Sequence, residues 1–150
     1  MTNERSAKVK PTVLLVEDNA DDELLAMSAM KASGIELSVE VARDGAEACD
    51  MLFSNEGHIP DLVLLDLKLP KISGLDVLKR IRAESRTRLV PVVILSSSDL
   101  DRDRTAGFEL GANSFVQKGF DIEAYRKQMK AIIEYWFEVN QPCSDAGSHL

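Results

Sequence analysis

Apolar residues fall along this chain in two alternating rhythms. Unbroken runs such as Val13-Leu14-Leu15-Val16, Leu62-Val63-Leu64-Leu65 and Val92-Val93-Ile94-Leu95 are separated by stretches in which apolar residues return every three or four positions. The unbroken runs suit strands buried on both faces, and the longer spacing suits amphipathic helices. Strands are thus predicted over about 12–17, 37–41, 61–66, 90–95 and 113–117. The second of these, Leu37-Ser38-Val39-Glu40-Val41, alternates with period two and reads as a sheet edge.

Between the strands come helices. The first begins in the acidic residues 19–23, which suit the positive end of a helix dipole. It offers Leu24, Leu25, Ser28, Ala29 and Ala32 as its inward face and stops at Gly34. After the turn Asp44-Gly45, the second spans about 46–53, with Ala46, Ala48, Leu52 and Phe53 available for burial. The third spans about 74–83 on Leu75, Val77, Leu78 and Ile81, the fourth about 100–110, and the last about 121–138. Five strands alternating with five helices predict an α/β, doubly wound parallel sheet. Right-handed crossovers leave few topologies, and the polar edge strand favours the order 2-1-3-4-5. The expected layout is a flexible segment over 1–10, one domain over 11–138, and a polar tail over 139–150 with no output domain.

The chain has 150 residues, a net charge of −7 and a pI near 4.9. An acidic balance argues against nucleic acid or an anionic membrane as partner. No apolar run reaches membrane-spanning length and no signal-peptide core follows Met1, so a cytoplasmic protein is expected. Two cysteines make no disulfide framework; Cys49 reads as a small core residue and Cys143 as part of the tail.

Chemistry gathers where the strands end. Glu17 and Asp18 close the first strand, Asp66 the third, Ser96 the fourth and Lys118 the fifth. Singly, each has an ordinary explanation: a solvated strand end, a turn, a helix cap, a surface lysine. Together they lie on one edge of one sheet, the carboxyl edge at which open α/β sheets bind ligands. Three carboxylates in one crevice repel unless something neutralises them, and Mg2+ is a hard cation suited to oxygen ligands. Asp66 would then be a nucleophile toward a phosphoryl group, Lys118 a cation pairing with Asp66 at rest, and Ser96 a hydroxyl donor to a phosphoryl oxygen.

Four segments carry a resemblance to a known family: Val13-Leu14-Leu15-Val16-Glu17-Asp18-Asn19, Asp61-Leu62-Val63-Leu64-Leu65-Asp66-Leu67-Lys68-Leu69-Pro70 with Gly74, Pro91-Val92-Val93-Ile94-Leu95-Ser96, and Gly111-Ala112-Asn113-Ser114-Phe115-Val116-Gln117-Lys118. Over about 11–138 the chain resembles the receiver domain of two-component response regulators, whose fold is flavodoxin-like. The resemblance implies Asp66 as phosphoacceptor, Asp18 and Asp66 as Mg2+ ligands, and Glu17 supporting the ion through water. It also implies the Lys68 carbonyl as a further ligand, with Ser96 and Phe115 as the switch pair. Gly119 stands where the family usually has proline, so the geometry of the Lys118–Gly119 peptide is left open.

The last helix and the loop after Asp66 look like the stand-alone regulators paired with bacterial phytochrome histidine kinases. The implied partners are such a kinase, a bacteriophytochrome by this likeness, and a downstream protein target or phosphotransfer protein. Ile122, Tyr125, Met129, Ile132, Ile133 and Trp136 recur at helical spacing and are expected to cover the sheet, leaving Tyr135, Phe137 and Val139 over. That surplus, with the resemblance, predicts a homodimer through the last helix. Two other classes share the layout. A phosphoaspartyl phosphatase would want a second aspartate where Lys68 stands. A flavodoxin-like carrier would want a Gly/Ser/Thr-rich amide cradle where Glu17 and Asp18 stand. Hence no enzyme is expected beyond transfer and hydrolysis of its own phosphoryl group.

Overall fold

The computed structural model describes residues 10–54, 58–98 and 100–143. The expected flexible start, apart from Lys10, and the tail beyond Cys143 lie outside the described residues. The strands are β1 (Thr12–Val16), β2 (Ser38–Ala42), β3 (Leu62–Leu65), β4 (Val92–Ser96) and β5 (Ser114–Gln117). The helices are α1 (Ala20–Ala32), α2 (Gly45–Phe53), α3 (Gly74–Ala83), α4 (Asp101–Glu109) and α5 (Ile122–Glu134), followed by a π-helical turn, Tyr135–Val139. All strand pairings are parallel, in the order β2-β1-β3-β4-β5. The predicted fold class and order hold, with strand ends shifted by one or two residues.

The unbroken apolar runs have a direct cause. Alternate residues of each central strand enter opposite cores. Leu14, Val16, Val63, Leu65, Val92 and Ile94 pack with α2 and α3. Val13, Leu15, Leu62, Leu64, Val93 and Leu95 pack with α1 and α5. Every side chain of β3 is buried, so no position in it can be polar until Asp66 follows its end. Cys49 is buried in the first core, as expected.

Two helix faces differ from expectation. On α1, Ala26, Ala29 and Met30 are buried, whereas Leu24 is 68% exposed and Ser28 and Ala32 are also exposed. Asn19 caps the helix by accepting from the Asp22 N–H at 2.9 Å. The inward stripe then runs Asp22, Ala26, Ala29, Met30, at helical spacing. Small alanines let α1 lie close to the sheet, and Asp22, not Leu24, heads the stripe.

At the other end of the chain, α5 buries Tyr125, Met129, Ile132 and Ile133 but leaves Ile122 exposed. The expected long helix stops at Glu134, and the Asn140 N–H donates to the Tyr135 carbonyl at 2.7 Å, a five-residue step. A π turn rotates the residues within it relative to an α-helix. Trp136 and Phe137 therefore both pack against the core, so Phe137 is not left over; Tyr135 and Val139 are. Among the described residues no helix is long and apolar enough to cross a membrane.

Candidate functional site

The sheet itself delivers the carboxylates. The Asp66 N–H donates to the Val16 carbonyl at 3.1 Å, and the Glu17 N–H to Ala42 at 2.9 Å. Both residues thereby continue the parallel register one step beyond the strands and sit side by side. Glu17 is buried, Asp66 half-buried and Asp18 exposed, and each places a carboxylate oxygen within 4.8 Å of the others. Burial pushes the Asp66 carboxyl up from its usual range, against the pull of Lys118. Burial likewise carries Glu17 up to about 7, with Lys118 opposing and Asp66 adding to the rise.

The loop after Asp66 is held by close approach. The Gly74 N–H donates to Leu67 at 2.9 Å, and a Cβ at Gly74 would lie 2.2 Å from the Asp66 carbonyl oxygen. A Cβ at Gly45 would lie 1.9 Å from the Ile72 carbonyl oxygen. Only glycine fits at either point, so the starts of α3 and α2 brace the loop against Asp66. Lys68 is exposed within that loop, and the Leu67 and Lys68 backbone N–H groups favour the charged form of the Asp66 carboxyl, against burial.

Lys118 crosses the edge from β5. Its Nζ lies 2.9 Å from Glu17 Oε1, 2.9 Å from Asp22 Oδ2 and 3.8 Å from Asp66 Oδ2. The expected resting pair with Asp66 is thus the longest of the three. Asp22, read from sequence only as a helix-start acid, is a principal partner. The signal was its spacing: four residues before the buried Ala26, it is the first inward-facing position of α1. Burial would lower the Lys118 pKa, but bonds to Asp22 and Glu17 more than offset this and hold it charged. No cis peptide bond occurs among the described residues, which answers the open question at Gly119.

Ser96 ends β4 fully buried, and its Oγ accepts from the Ser98 N–H at 3.1 Å. Phe115 stands opposite Ile94 in the β4–β5 register. Ile94 and Ser96 project to the same face by strand alternation, so the ring and the hydroxyl share the α3–α4 side. Phe115 is half-buried there, and a Cβ on Gly107 would come within 3.4 Å of its ring.

Three oxygen ligands, one of them open to solvent, suit a divalent hard cation that keeps several waters. The Lys118 ammonium, 3.8 Å from Asp66, and the Ser96 hydroxyl at the end of the neighbouring strand suit an incoming anion. The comparisons agree with that class of site. Residues 13–130 match the response regulator receiver domain family. The chain belongs to this family. It is 38% identical over 132 residues to the probable methanogenesis regulatory protein FilR2 of Methanothrix harundinacea, covering 86% of this chain and 85% of that protein. It is 34% identical over 131 residues to response regulator Rcp1 of Synechocystis, covering 84% of this chain and 88% of that protein. The solved Mn(2+)-bound form of Rcp1 superposes with a TM-score of 0.83 at 31% identity, over 89% of this chain and 99% of that one. The phosphorylated cyanobacterial phytochrome response regulator RcpA gives 0.84 at 32% identity, over 89% and 99%.

Proposed function

We propose that this chain is a phosphorylation switch in which Asp66 accepts a phosphoryl group from a phosphohistidine on a histidine kinase. The observation that supports this most is the meeting of Glu17, Asp18 and Asp66 within 4.8 Å, with the Lys118 ammonium 3.8 Å from Asp66. An Asp66 carboxylate oxygen attacks phosphorus, a P–O bond forms, and the P–N bond to the kinase imidazole breaks. The imidazole leaves with the bonding pair and takes up a proton. Asp18, Asp66 and the Lys68 carbonyl would hold Mg2+, with Glu17 behind them, and the ion would neutralise phosphoryl charge there. Mn2+ in the related Rcp1 supports a divalent ion at such a site. Lys118 turns from Asp22 toward the phosphoryl oxygens, and Ser96 donates to another. The vacated space lets Phe115 move inward, biasing the β4–α4–β5 surface toward a partner by population shift.

Acetyl phosphate with Mg2+ should load one phosphate, and Asp66→Asn should load none on Phos-tag gels; loading of that variant at the wild-type level refutes the assignment.

On this reading the receiver unit spans 11–138, works in the cytoplasm, and acts on no external substrate. The likeness to RcpA supports a bacteriophytochrome-type kinase as donor, with a phosphotransfer protein or other protein as target. Transfer from a panel of purified kinases tests that pairing. Tyr135 and Val139, exposed beside α5, support a homodimer through this region. Light scattering should find a dimer for wild type at high micromolar concentration and a monomer for Tyr135→Ser with Val139→Ser; a monomeric wild type rules the dimer out.

A further inference from the structure

Behind Lys118 lies a polar atom that the reading above does not use. Tyr125, in the first turn of α5, is 5% exposed, and its hydroxyl is the buried side-chain polar atom, among the described residues, without a hydrogen-bonding partner in the protein. A buried phenol oxygen without a partner is costly, so a state that supplies one is favoured over a state that does not.

The packing sets this hydroxyl beside the site. Gln128, one turn further along α5, donates to the Gln117 carbonyl at 2.7 Å and accepts from the Gly119 N–H at 2.8 Å. The backbone on both sides of Lys118 is therefore fastened to the face of α5 that Tyr125 begins. A Cβ on Gly119 would lie 2.6 Å from the Ala124 Cβ, so the turn after Lys118 presses on α5 next to Tyr125. Tyr125 also packs in the core shared with Ala26 and Ala29, the stripe of α1 that Asp22 heads. Its hydroxyl accordingly feels the charges of Lys118, Glu17, Asp22 and Asp66.

In the resting arrangement Lys118 occupies the Asp22 carboxylate at 2.9 Å. Once Lys118 serves a phosphoryl group, Asp22 loses its cation while remaining partly buried. We propose that the Tyr125 hydroxyl is a positioning group for this exchange: when Lys118 turns from Asp22 toward phosphorylated Asp66, Tyr125 donates its O–H to the freed Asp22 carboxylate. The orphan donor and the abandoned acceptor thus satisfy each other only in the phosphorylated state. The hydroxyl stays protonated throughout, since burial, opposed by Lys118, lifts its pKa to about 12.

This inference rests on the phosphoacceptor reading, and the test separates the two. The probe is beryllofluoride with Mg2+, a stable stand-in for the phosphoryl group, titrated into the full chain and followed by calorimetry and thermal melting. Tyr125→Phe should melt at or above the wild-type temperature when unliganded, because it deletes an unpartnered polar atom. The same variant should bind beryllofluoride about tenfold more weakly, the size of one hydrogen bond to a charged group. In an Asp22→Ala background the tenfold difference should vanish. Equal affinities for wild type and Tyr125→Phe would overturn the inference. So would a lower melting temperature of unliganded Tyr125→Phe with no added loss on binding, or an undiminished effect in Asp22→Ala. A wild type that binds no beryllofluoride overturns the phosphoacceptor reading, and this inference falls with it.

Discussion

A part-buried cation sits at each end of the sheet, and the two are held in different ways. Arg82, on α3, lies at the ends where β4 and β5 begin. Its Nε donates to Gly111 at 2.9 Å, Nη1 to Arg88 at 3.1 Å and Val90 at 2.7 Å, and Nη2 to the Asn113 Oδ1 at 2.9 Å. Asn113 Oδ1 also accepts from the Val92 N–H at 2.8 Å, so the guanidinium ties together both strand starts. Lys118, at the opposite edge, has carboxylates as its side-chain partners among the described residues.

The acceptors of Arg82 are neutral, three of them backbone carbonyls and the fourth an Asn113 amide oxygen held by the Val92 N–H, so they give Arg82 one geometry in any state. Carboxylates can change protonation, take a metal or accept a phosphoryl group, so they give Lys118 several. A planar fork of donors suits the first role, and a flexible stem bearing one compact charge suits the second. On the proposed function, the same net charge serves as a clamp at one edge and as a movable contact at the other.

The sharpest way to break this contrast is to remove the clamp. Arg82→Ala should cost about 2–4 kcal/mol of folding stability, because several part-buried carbonyls lose their donor at once. The variant that remains folded should still load phosphate at the wild-type level. Urea melts and Phos-tag gels read the two quantities separately, and a parallel loss of both would erase the distinction between the edges.

Removing the movable contact should do the reverse. Lys118→Met should lower steady-state phosphate loading roughly thirtyfold, the worth of a charged hydrogen bond in the phosphorylated state. Its melting temperature in saturating Mg2+ should stay close to wild type, since the ion neutralises Glu17 and Asp66 and the partly exposed Asp22 is solvated by water. A variant that loads normally would show that Lys118 serves structure alone.

The smallest effect concerns pH. The Glu17 carboxyl, raised to about 7 by burial, holds a proton in the fold at pH values where the unfolded chain has released it. Metal-free protein should therefore lose stability as pH rises through 7. A bound divalent ion competes with that proton, so Mg2+ or Mn2+ affinity should rise about tenfold between pH 6 and pH 8. Arg82 has no ionisable partner, and Arg82→Ala should leave this profile unchanged. A flat affinity profile in wild type would place Glu17 outside the metal's influence.

The alternation of apolar runs and amphipathic stretches was enough to place the five strands, their order and the carboxyl edge, because a central parallel strand buried on both faces tolerates nothing but apolar side chains. Glu17, Asp66 and Ser96 were legible for the same reason, since each breaks an apolar run at its end, and Asp18 and Lys118 follow one residue after such a break. Contacts across elements left a weaker trace. Leu24 carries the apolarity of an inward residue, yet Asp22 takes the inward position, because the cap at Asn19 and the pull of Lys118 fix the phase of α1. Phe137 looked surplus until a π turn, which no simple period encodes, rotated it onto the core.

What the sequence alone determined is therefore the set of chemical groups on one sheet edge, since strand ends follow from local pattern. What only the tertiary structure decided is who holds whom. Lys118 rests on Glu17 and Asp22 at 2.9 Å, with Asp66 at 3.8 Å, and the Tyr125 hydroxyl has no hydrogen-bonding partner among the described residues. Those distances depend on how α1 and α5 seat against the sheet. That seating is settled by packing over the whole core rather than by any segment's own periodicity.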